Sequence, residues 1–220
     1  IVTDTVQHQV FYSEDELRDR WGIFTYARKM DKLTRAVNET QGLILAYEGE
    51  PIQATFFSTS NGFTENSENY WKEAVPYLRS VESPWDRLYS PNYERKTSVS
   101  LAEFYERLGL PKNQNAPDIK VLKKSETGRI LEIEVNGQRF DGRTFRERLG
   151  LASTDAEWTI GDGAVQFTTY GYGHGVGMSQ WGANGMAKQG KTAEQILRHY
   201  YTNVKIVPYT DVGIRRFAAG

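Results

Sequence analysis

The sequence predicts an α+β fold, with antiparallel hairpins and small sheets, several packed helices and a long loop that lines a substrate groove. Helical and strand patterns mix along the 220 residues without the strand–helix–strand alternation of an α/β sheet. Ser-x-x-Glu capping boxes mark helix starts, and Asn136-Gly137 marks a tight hairpin turn. Because no repeat or low-complexity linker interrupts the chain, we expect one domain over residues 1–220.

The N-terminal third is predicted to hold two helices and a hairpin. The first helix starts at the capping box of Ser13 and Glu16, and the second ends before Gly42. The predicted elements are helices over Ser13–Trp21 and Asp31–Thr40, and strands over Leu43–Glu48 and Ile52–Ser58 joined at 48–51. Residues 59–93 show no clear period, and a loop of that length is usually functional.

The remaining chain alternates short helices with hairpin strands. Capping residues at Ser100 and Thr192 and the turn at Asn136-Gly137 fix the boundaries. The predicted helices are Ser100–Leu108, Asp141–Leu149, Ser179–Gln189 and Thr192–Tyr201, and the predicted strands are Val121–Lys124, Arg129–Val135, Gln138–Phe140, Trp158–Ile160 and Ala164–Thr169.

The composition excludes several classes of function. A hydrophobic fraction of 39% is typical of a folded protein, and a net charge of −1 gives no electrostatic footprint for nucleic acid. The longest apolar runs have four or five residues, too few to span a bilayer. The absence of cysteine excludes disulfides and thiolate metal sites, and the three histidines, His8, His174 and His199, show no metal spacing. We expect no metal and no cofactor.

A glycine-rich stretch, residues 171–182, is the strongest functional signal. Its five glycines predict bare backbone that turns tightly or approaches another surface closely. The side chains between them offer aromatic faces, hydrogen-bonding groups and an imidazole, and those predicted to contact substrate are Tyr172, His174, Met178, Ser179 and Gln180. Glycines cannot shield His174, which either braces the loop by hydrogen bonds or contacts substrate.

Residues 58–71 form a second stretch with similar chemistry. Its hydroxyl and amide groups suit sugar hydroxyls, and its aromatic rings suit sugar faces. The predicted substrate-binding residues here are Ser58, Thr59, Ser60, Asn61, Thr64, Glu68 and Trp71. The alternative is a polar loop pinned by its own turns, with Tyr70 and Trp71 as core anchors. Arg143, which lies on one short helix with Arg146 and Arg148, is either part of a solvated face or a cation for an anionic polymer.

Residues 185–192, Gly-Met-Ala-Lys-Gln-Gly-Lys-Thr, match the phosphate-binding pattern Gly-x4-Gly-Lys-Thr. That pattern works only where a buried strand feeds a loop that enters a helix. The residues before Gly185 are polar and broken by glycine, so we expect a helix that stops at Gly190 and a second helix capped by Thr192. We therefore predict no nucleotide binding.

Seven blocks of the sequence resemble the stage II sporulation protein D and amidase-enhancer family. Within that family, the sequence is most similar to the sporulation branch. The signature block reads Gly-His-Gly-Val-Gly-Met-Ser-Gln-Trp-Gly-Ala at 173–183. The others, which occur in family order, are residues 36–42, 58–68, 76–86, 142–146, 185–187 and 196–201.

The resemblance implies a lytic transglycosylase that cleaves the β-1,4 bond between N-acetylmuramic acid and N-acetylglucosamine. One carboxyl protonates the leaving oxygen and then acts as base while a 1,6-anhydro ring closes. The implied substrate is denuded glycan, meaning strands already stripped of stem peptides. The implied partners are an amidase and membrane proteins of the engulfment machinery. The implied place is the space between mother-cell and forespore membranes, reached through an N-terminal membrane anchor.

The family's catalytic glutamate lies in a segment of the type Val-x-Gly-Val-Val-Ala-x-Glu-Met-Pro, which this sequence lacks. We therefore expect a fragment without the catalytic segment and anchor, inactive alone, and we assign no catalytic residue. Glu65 and Glu68 are fallback candidates, although exposed acids in a polar loop rarely have the raised pKa that this step needs. Some relatives hold zinc near this loop, but Phe57 precedes Ser58 here and cysteine is absent, so we predict no zinc.

Two functions follow from these observations. In the first, the chain is the groove-forming part of the transglycosylase, with the stretches 58–71 and 170–180 facing each other across a sugar-binding cleft. In the second, it is a non-catalytic module that binds glycan or activates an amidase.

Overall fold

The computed structural model describes residues 11–112 and 115–212, and it confirms the α+β class. His8 lies outside these residues. The described residues divide into two compact units, one of 11–44 with 208–210, and one of 45–207 with 211–212. No helix in the described part of the chain is long and apolar enough to cross a membrane.

The smaller unit is built on two helices, α1 (Glu14–Trp21) and α2 (Ile23–Thr40). Ser13 and Glu16 form the predicted capping box, and Gly22, with φ of 72°, separates the helices. The prediction that the second helix starts at Asp31 was wrong by eight residues. Aromatic and β-branched residues at 23–26 are weak helix formers, and they hid the earlier start.

The hairpin forms as predicted, but its second strand is much shorter. Strand β1 (Leu43–Tyr47) pairs antiparallel with β2 (Glu50–Pro51). The predicted strand Ile52–Ser58 is wrong, because the chain leaves the hairpin after Ile52 and forms β3 (Phe56–Phe57) in another sheet. A strand that changes partner keeps its apolar pattern, so the sequence does not reveal the break.

The predicted loop 59–93 contains two one-turn helices, α3 (Glu68–Trp71) and α4 (Trp85–Tyr89). Helices of four and five residues are too short to show a period, so the prediction of an unstructured loop was wrong at these two places.

The first hydrophobic core lies between two three-stranded antiparallel sheets and two helices. One sheet has the order β4-β9-β8 and the other β5-β6-β7. The strands are β4 (Glu94–Ser100), β5 (Ile119–Lys124), β6 (Ile130–Val135), β7 (Gln138–Asp141), β8 (Ala156–Gly161) and β9 (Ala164–Tyr170), and the helices are α5 (Leu101–Leu108) and α6 (Gly142–Leu149). Phe104, Phe145 and Phe167 meet at its centre. Asn136 and Gly137 both have positive φ, as the predicted tight turn requires. Strand β4 was not predicted.

The second core packs helices α7 (Gln180–Lys188) and α8 (Ala193–Tyr200) against the segment around Leu78. Both helices were predicted, and Thr192 with Gln195 forms the predicted capping box. Strand β10 (Met178–Ser179) precedes α7 and pairs in parallel with β3. The strand β11 (Lys205–Pro208), next to β1, was not predicted.

Candidate functional site

The serine-rich arm (residues 58–71) and the glycine arm (residues 170–180) are joined backbone to backbone. Thr59 bridges Tyr172, and Glu65 bridges Val176. The amide of Glu65 donates to the carbonyl of Gly175 at 2.8 Å. The expectation that the arms face each other across a cleft is therefore wrong. They lie side by side, and both contribute residues to the groove described below, together with strands and a helix from the middle of the chain.

Close backbone approach explains the glycines. A Cβ at Gly173 would lie 2.9 Å from Cβ of Phe57, and one at Gly171 would lie 2.9 Å from the carbonyl oxygen of Thr59. Real side chains do not tolerate such contacts, and both glycines also have positive φ. The predicted close approach is confirmed, and the approached surface is the protein's own serine-rich arm.

Two adjoining hollows lie beside the arms, and we call them together the groove. The first has a volume of about 240 Å³, and the second about 280 Å³. They share Glu65, Asn69, Lys123 and Leu131. Each volume is close to the roughly 300 Å³ at the lower end of small-molecule sites.

The groove brings together four of the predicted site residues, Glu65, Glu68, Arg143 and His174. Tyr70 lines it with them. Trp71, 37% exposed, stands beside them, with its ring 5.2 Å from that of His174 and edge-on to Tyr70. These three rings form an aromatic cluster next to polar groups, the combination expected of a sugar site.

The other predicted site residues do not line the groove. Thr59, Ser60, Thr64 and Ser179 are buried, Ser58, Asn61 and Met178 are half-buried, and Tyr172 and Gln180 are exposed elsewhere on the glycine arm. The guanidinium of Arg95 lies over the ring of Tyr172.

The buried hydroxyls converge on Asp86, which was not among the predicted site residues. Asp86 Oδ1 accepts from the amide of Ser60 at 2.8 Å and from the hydroxyl of Ser179. Asp86 Oδ2 accepts from the hydroxyls of Ser60 and Ser83, and Ser83 is also bonded to Tyr200. A buried carboxylate is tolerated only with such partners, so this cluster fastens both arms to α4 and α8.

His174 is held in one tautomer by the backbone. Its Nε2 lies 3.1 Å from the carbonyl oxygen of Phe56, and its Nδ1 accepts from the amide of Val176 at 3.1 Å. Nε2 therefore carries the proton. The interpretation of His174 as a brace is confirmed, but the expectation that glycines leave it unshielded is wrong. The rings of Phe57, Tyr70 and Trp71 surround it, and burial lowers its pKa to about 4, assisted by the nearby charge of Arg146.

Glu65 is buried, with 2% of its surface exposed, so the expectation of an exposed acid is wrong for this residue. Oε1 accepts from the amide of Asn66 and the side chain of Asn69. Oε2 accepts from the hydroxyls of Ser125 at 2.6 Å and Thr127 at 2.5 Å. Because donors occupy both oxygens, the group is arranged as an acceptor and is poorly suited to donate a proton.

Arg129 lies behind Glu65, and nothing in the ordinary strand pattern around it pointed to a site residue. Its guanidinium donates to the carbonyl of Phe63 at 2.9 Å and to the hydroxyl of Thr127. A Cβ at Gly175 would come within 3.0 Å of the guanidinium, so the glycine arm leaves room for this cation. Burial lowers the pKa of Arg129, and the carboxylate of Glu65 counteracts this.

Glu68 is also unsuited to be an acid. Its carboxylate binds Arg79 through two hydrogen bonds, of 2.8 and 2.5 Å. These bonds hold the pKa of Glu68 below its usual value. Burial raises the pKa of Asp155, but this residue is bonded to Asn61 and does not line the groove.

Arg143 is tied to its own helix and to the aromatic cluster. It donates to Glu147 at 2.9 Å, and its guanidinium lies over the ring of Tyr70. Arg146 donates to the carbonyl of Ala152, and Arg148 donates to that of Leu108. Arg143 and Arg148 are exposed, as the interpretation of a solvated face expects, whereas Arg146 is half-buried.

The phosphate-loop pattern does not adopt phosphate-loop geometry. Residues 185–188 belong to α7, and a Cβ at Gly185 would collide with Trp85 and Tyr89. Gly185 is therefore needed for helix packing, and Thr192 caps α8. His199, expected to be a packing residue, has its ring edge-on to that of Trp85. Within the described residues, no three His, Asp or Glu side chains are placed to hold a metal ion.

Comparisons with known proteins confirm the resemblance to the sporulation family. The chain is 46% identical over 206 residues to stage II sporulation protein D of Bacillus subtilis, and equally to that of Bacillus amyloliquefaciens. Each match covers 94% of this chain, which spans only about 60% of the relatives' length. An amidase enhancer of Bacillus subtilis is 25% identical over 80% of this chain and 32% of its own length. The chain matches no known family profile.

Proposed function

The chain is a homologue of stage II sporulation protein D, and we propose that it binds the glycan strands of peptidoglycan in the groove and serves cell-wall remodelling during sporulation. The observation that carries this proposal is the aromatic cluster of Tyr70, Trp71 and His174 at the edge of a polar groove. Trp71 is the exposed ring of this cluster. An exposed ring face suits the apolar face of a sugar, while amides and carboxylates suit its hydroxyls.

In the finer form of the proposal, the groove belongs to a lytic transglycosylase that acts on denuded glycan. Glu65 is saturated with donors and Glu68 is paired with Arg79, so neither supplies the proton. We place the proton donor in a part of the whole protein that these 220 residues do not include, and we give no part in cleavage to Glu132 and Asp141, the other acids that line the first hollow. That protein would act between the mother-cell and forespore membranes, held by a membrane anchor and working with an amidase and other engulfment proteins.

A second candidate is a non-catalytic module that activates a cell-wall amidase. The similarity to a protein named amidase enhancer favours it. The two functions differ in whether glycan is cleaved and in the effect on the amidase.

To test the proposal, this chain is titrated with purified denuded glycan, and binding is measured by calorimetry. The products formed after incubation are identified by mass spectrometry. We expect binding without 1,6-anhydro products. Cleavage by this chain alone would contradict our placing of the proton donor outside these residues, and absence of binding would contradict the proposed function. Faster hydrolysis by an added amidase, with no anhydro products from the whole protein, would favour the second candidate.

A further inference from the structure

The helix that carries Trp71 does little to orient its exposed ring. Helix α3 has four residues, and no side chain caps its N-terminus with a hydrogen bond. A helix of one turn gains little stability from its own backbone. Within the described residues, the indole nitrogen of Trp71 makes no hydrogen bond. The direction of this side chain therefore depends on the rings that pack against it.

Two rings pack against Trp71 in the part of the chain that the structure describes, and His174 is the one from outside its helix. Tyr70 lies 5.1 Å away, but it belongs to the same single turn. His174 lies 5.2 Å away and comes from the glycine arm. On its other side, the ring of His174 lies 5.7 Å from that of Phe57, which is buried. His174 therefore connects the exposed ring to the interior of the protein.

The side chain at position 174 meets three requirements at once. It places a flat ring between Phe57 and Trp71, it donates to the carbonyl of Phe56, and it accepts from the amide of Val176. A neutral imidazole has one donor and one acceptor in a flat ring. Phenylalanine would supply the ring alone, and asparagine the hydrogen-bonding groups alone. Burial lowers the pKa of His174 to about 4, so the ring is neutral near pH 7 and keeps both bonds.

We propose that His174 is a positioning residue that holds the ring of Trp71 in the direction needed to lie against a sugar of the glycan. This inference rests on the proposed function, because the sugar is the ligand proposed for the groove. Bracing of the glycine arm alone needs the two hydrogen bonds, whereas support of Trp71 needs the ring. His174 acts through Trp71 and takes no part in bond cleavage.

The first measurement follows Trp71 without a ligand. The difference between the fluorescence of a protein and that of its Trp71→Phe variant isolates this tryptophan from the others. We expect His174→Asn to shift the emission of Trp71 to longer wavelength, because the indole loses a packing partner and is more solvated. His174→Phe keeps a ring and should shift the emission less. No shift in His174→Asn, or equal shifts in both variants, would overturn the proposal.

The second measurement is a double-mutant cycle on the calorimetric affinity for a denuded glycan oligosaccharide. We expect His174→Asn to weaken binding about fivefold, equivalent to about 1 kcal/mol, as the loss of one aromatic contact allows. In the Trp71→Ala background the same substitution should cause no further loss. Two independent effects would instead multiply. His174→Gln, which also has an amide and no ring, replaces His174→Asn in both measurements if that variant does not fold.

His199→Asn is the matched control for this cycle. His199 also packs its ring against a tryptophan, Trp85, and bonds a backbone carbonyl, that of Glu82. Neither His199 nor Trp85 lines the groove. This variant should therefore bind the oligosaccharide as tightly as the unmodified chain.

The outcomes separate this inference from the proposed function. Multiplying effects of His174→Asn and Trp71→Ala would overturn the positioning role and leave glycan binding intact. An equal loss of affinity in His199→Asn would do the same, because it would show a general effect on the fold. If the unmodified chain does not bind the oligosaccharide, both the proposed function and the positioning role are wrong.

Discussion

Arg129 Nη1 lies 3.8 Å from Glu65 Oε2, and the side chains of both residues are at most 4% exposed. This pair lies where the serine-rich arm, the glycine arm and the strand that starts at Ile130 meet. Taking either charge out of water is costly unless a partner replaces the lost hydration. The pair therefore fixes the floor of the groove.

Removal of Glu65 should destabilise the fold. Glu65→Ala leaves a buried guanidinium without its counter-charge, so we expect a loss of about 3–5 kcal/mol in the free energy of unfolding. Urea denaturation measures this loss. Glu68→Gln is the control, and it should cost no more than about 1 kcal/mol because its pair with Arg79 is partly exposed. Equal effects of the two substitutions would refute a structural role for Glu65.

His174 should make stability depend on pH. Its folded pKa of about 4 lies below the unfolded value of about 6.5, so the unfolded chain binds the proton more readily. The contribution is fully present above pH 6.5 and is lost as the pH falls from 6.5 to 4, by about 3 kcal/mol. We expect His174→Asn to lack this part of the pH dependence when denaturation is compared between pH 4 and 7. Parallel profiles for both proteins would mean that the ring is freely solvated.

Gly182 should not tolerate a side chain. A Cβ there would overlap the hydroxyls of Tyr200 and Ser83 and lie 2.8 Å from Asp86 Oδ2. Gly182→Ala should therefore cost at least about 2 kcal/mol through overpacking at the Asp86 cluster. Gly161→Ala is the matched control, because nothing lies within 4 Å of its Cβ position. A thermal midpoint unchanged by Gly182→Ala would show that the cluster is loosely packed.

Trp71 should contribute to glycan affinity more than Tyr172 does. The two rings are similarly exposed, at 37% and 40%, but only Trp71 adjoins the groove. We expect Trp71→Ala to weaken calorimetric binding of denuded glycan about tenfold, equivalent to about 1.4 kcal/mol. Tyr172→Ala should leave it nearly unchanged. If Tyr172→Ala weakened binding more than Trp71→Ala, the binding surface would instead lie around Tyr172, away from the groove.

Local signals in the sequence were sufficient for much of the fold. The capping boxes at Ser13, Ser100 and Thr192 depend on neighbouring residues alone, and all three form. The same is true of the turn at Asn136-Gly137. The break after Ile52 was not predictable, because it depends on pairing with Met178–Ser179, more than 120 residues later in the chain.

The residue types of the site were predictable from the sequence, but the directions in which their side chains point were not. The two arms were identified from their residue types, yet those types do not say which side chains turn inward. Ser60 and Ser179 were expected at the substrate and instead bind Asp86. Glu65 was expected to be exposed and is buried, because its partners Ser125, Thr127 and Arg129 come from a distant part of the chain.

Hydrogen–deuterium exchange of this chain with and without a denuded glycan oligosaccharide tests the central claim most directly, because it locates the bound sugar. We expect protection in peptides covering residues 65–72, 123–132 and 141–143, which include the residues that line the groove. Protection confined to other surfaces, with these peptides unchanged at saturating oligosaccharide, would contradict it.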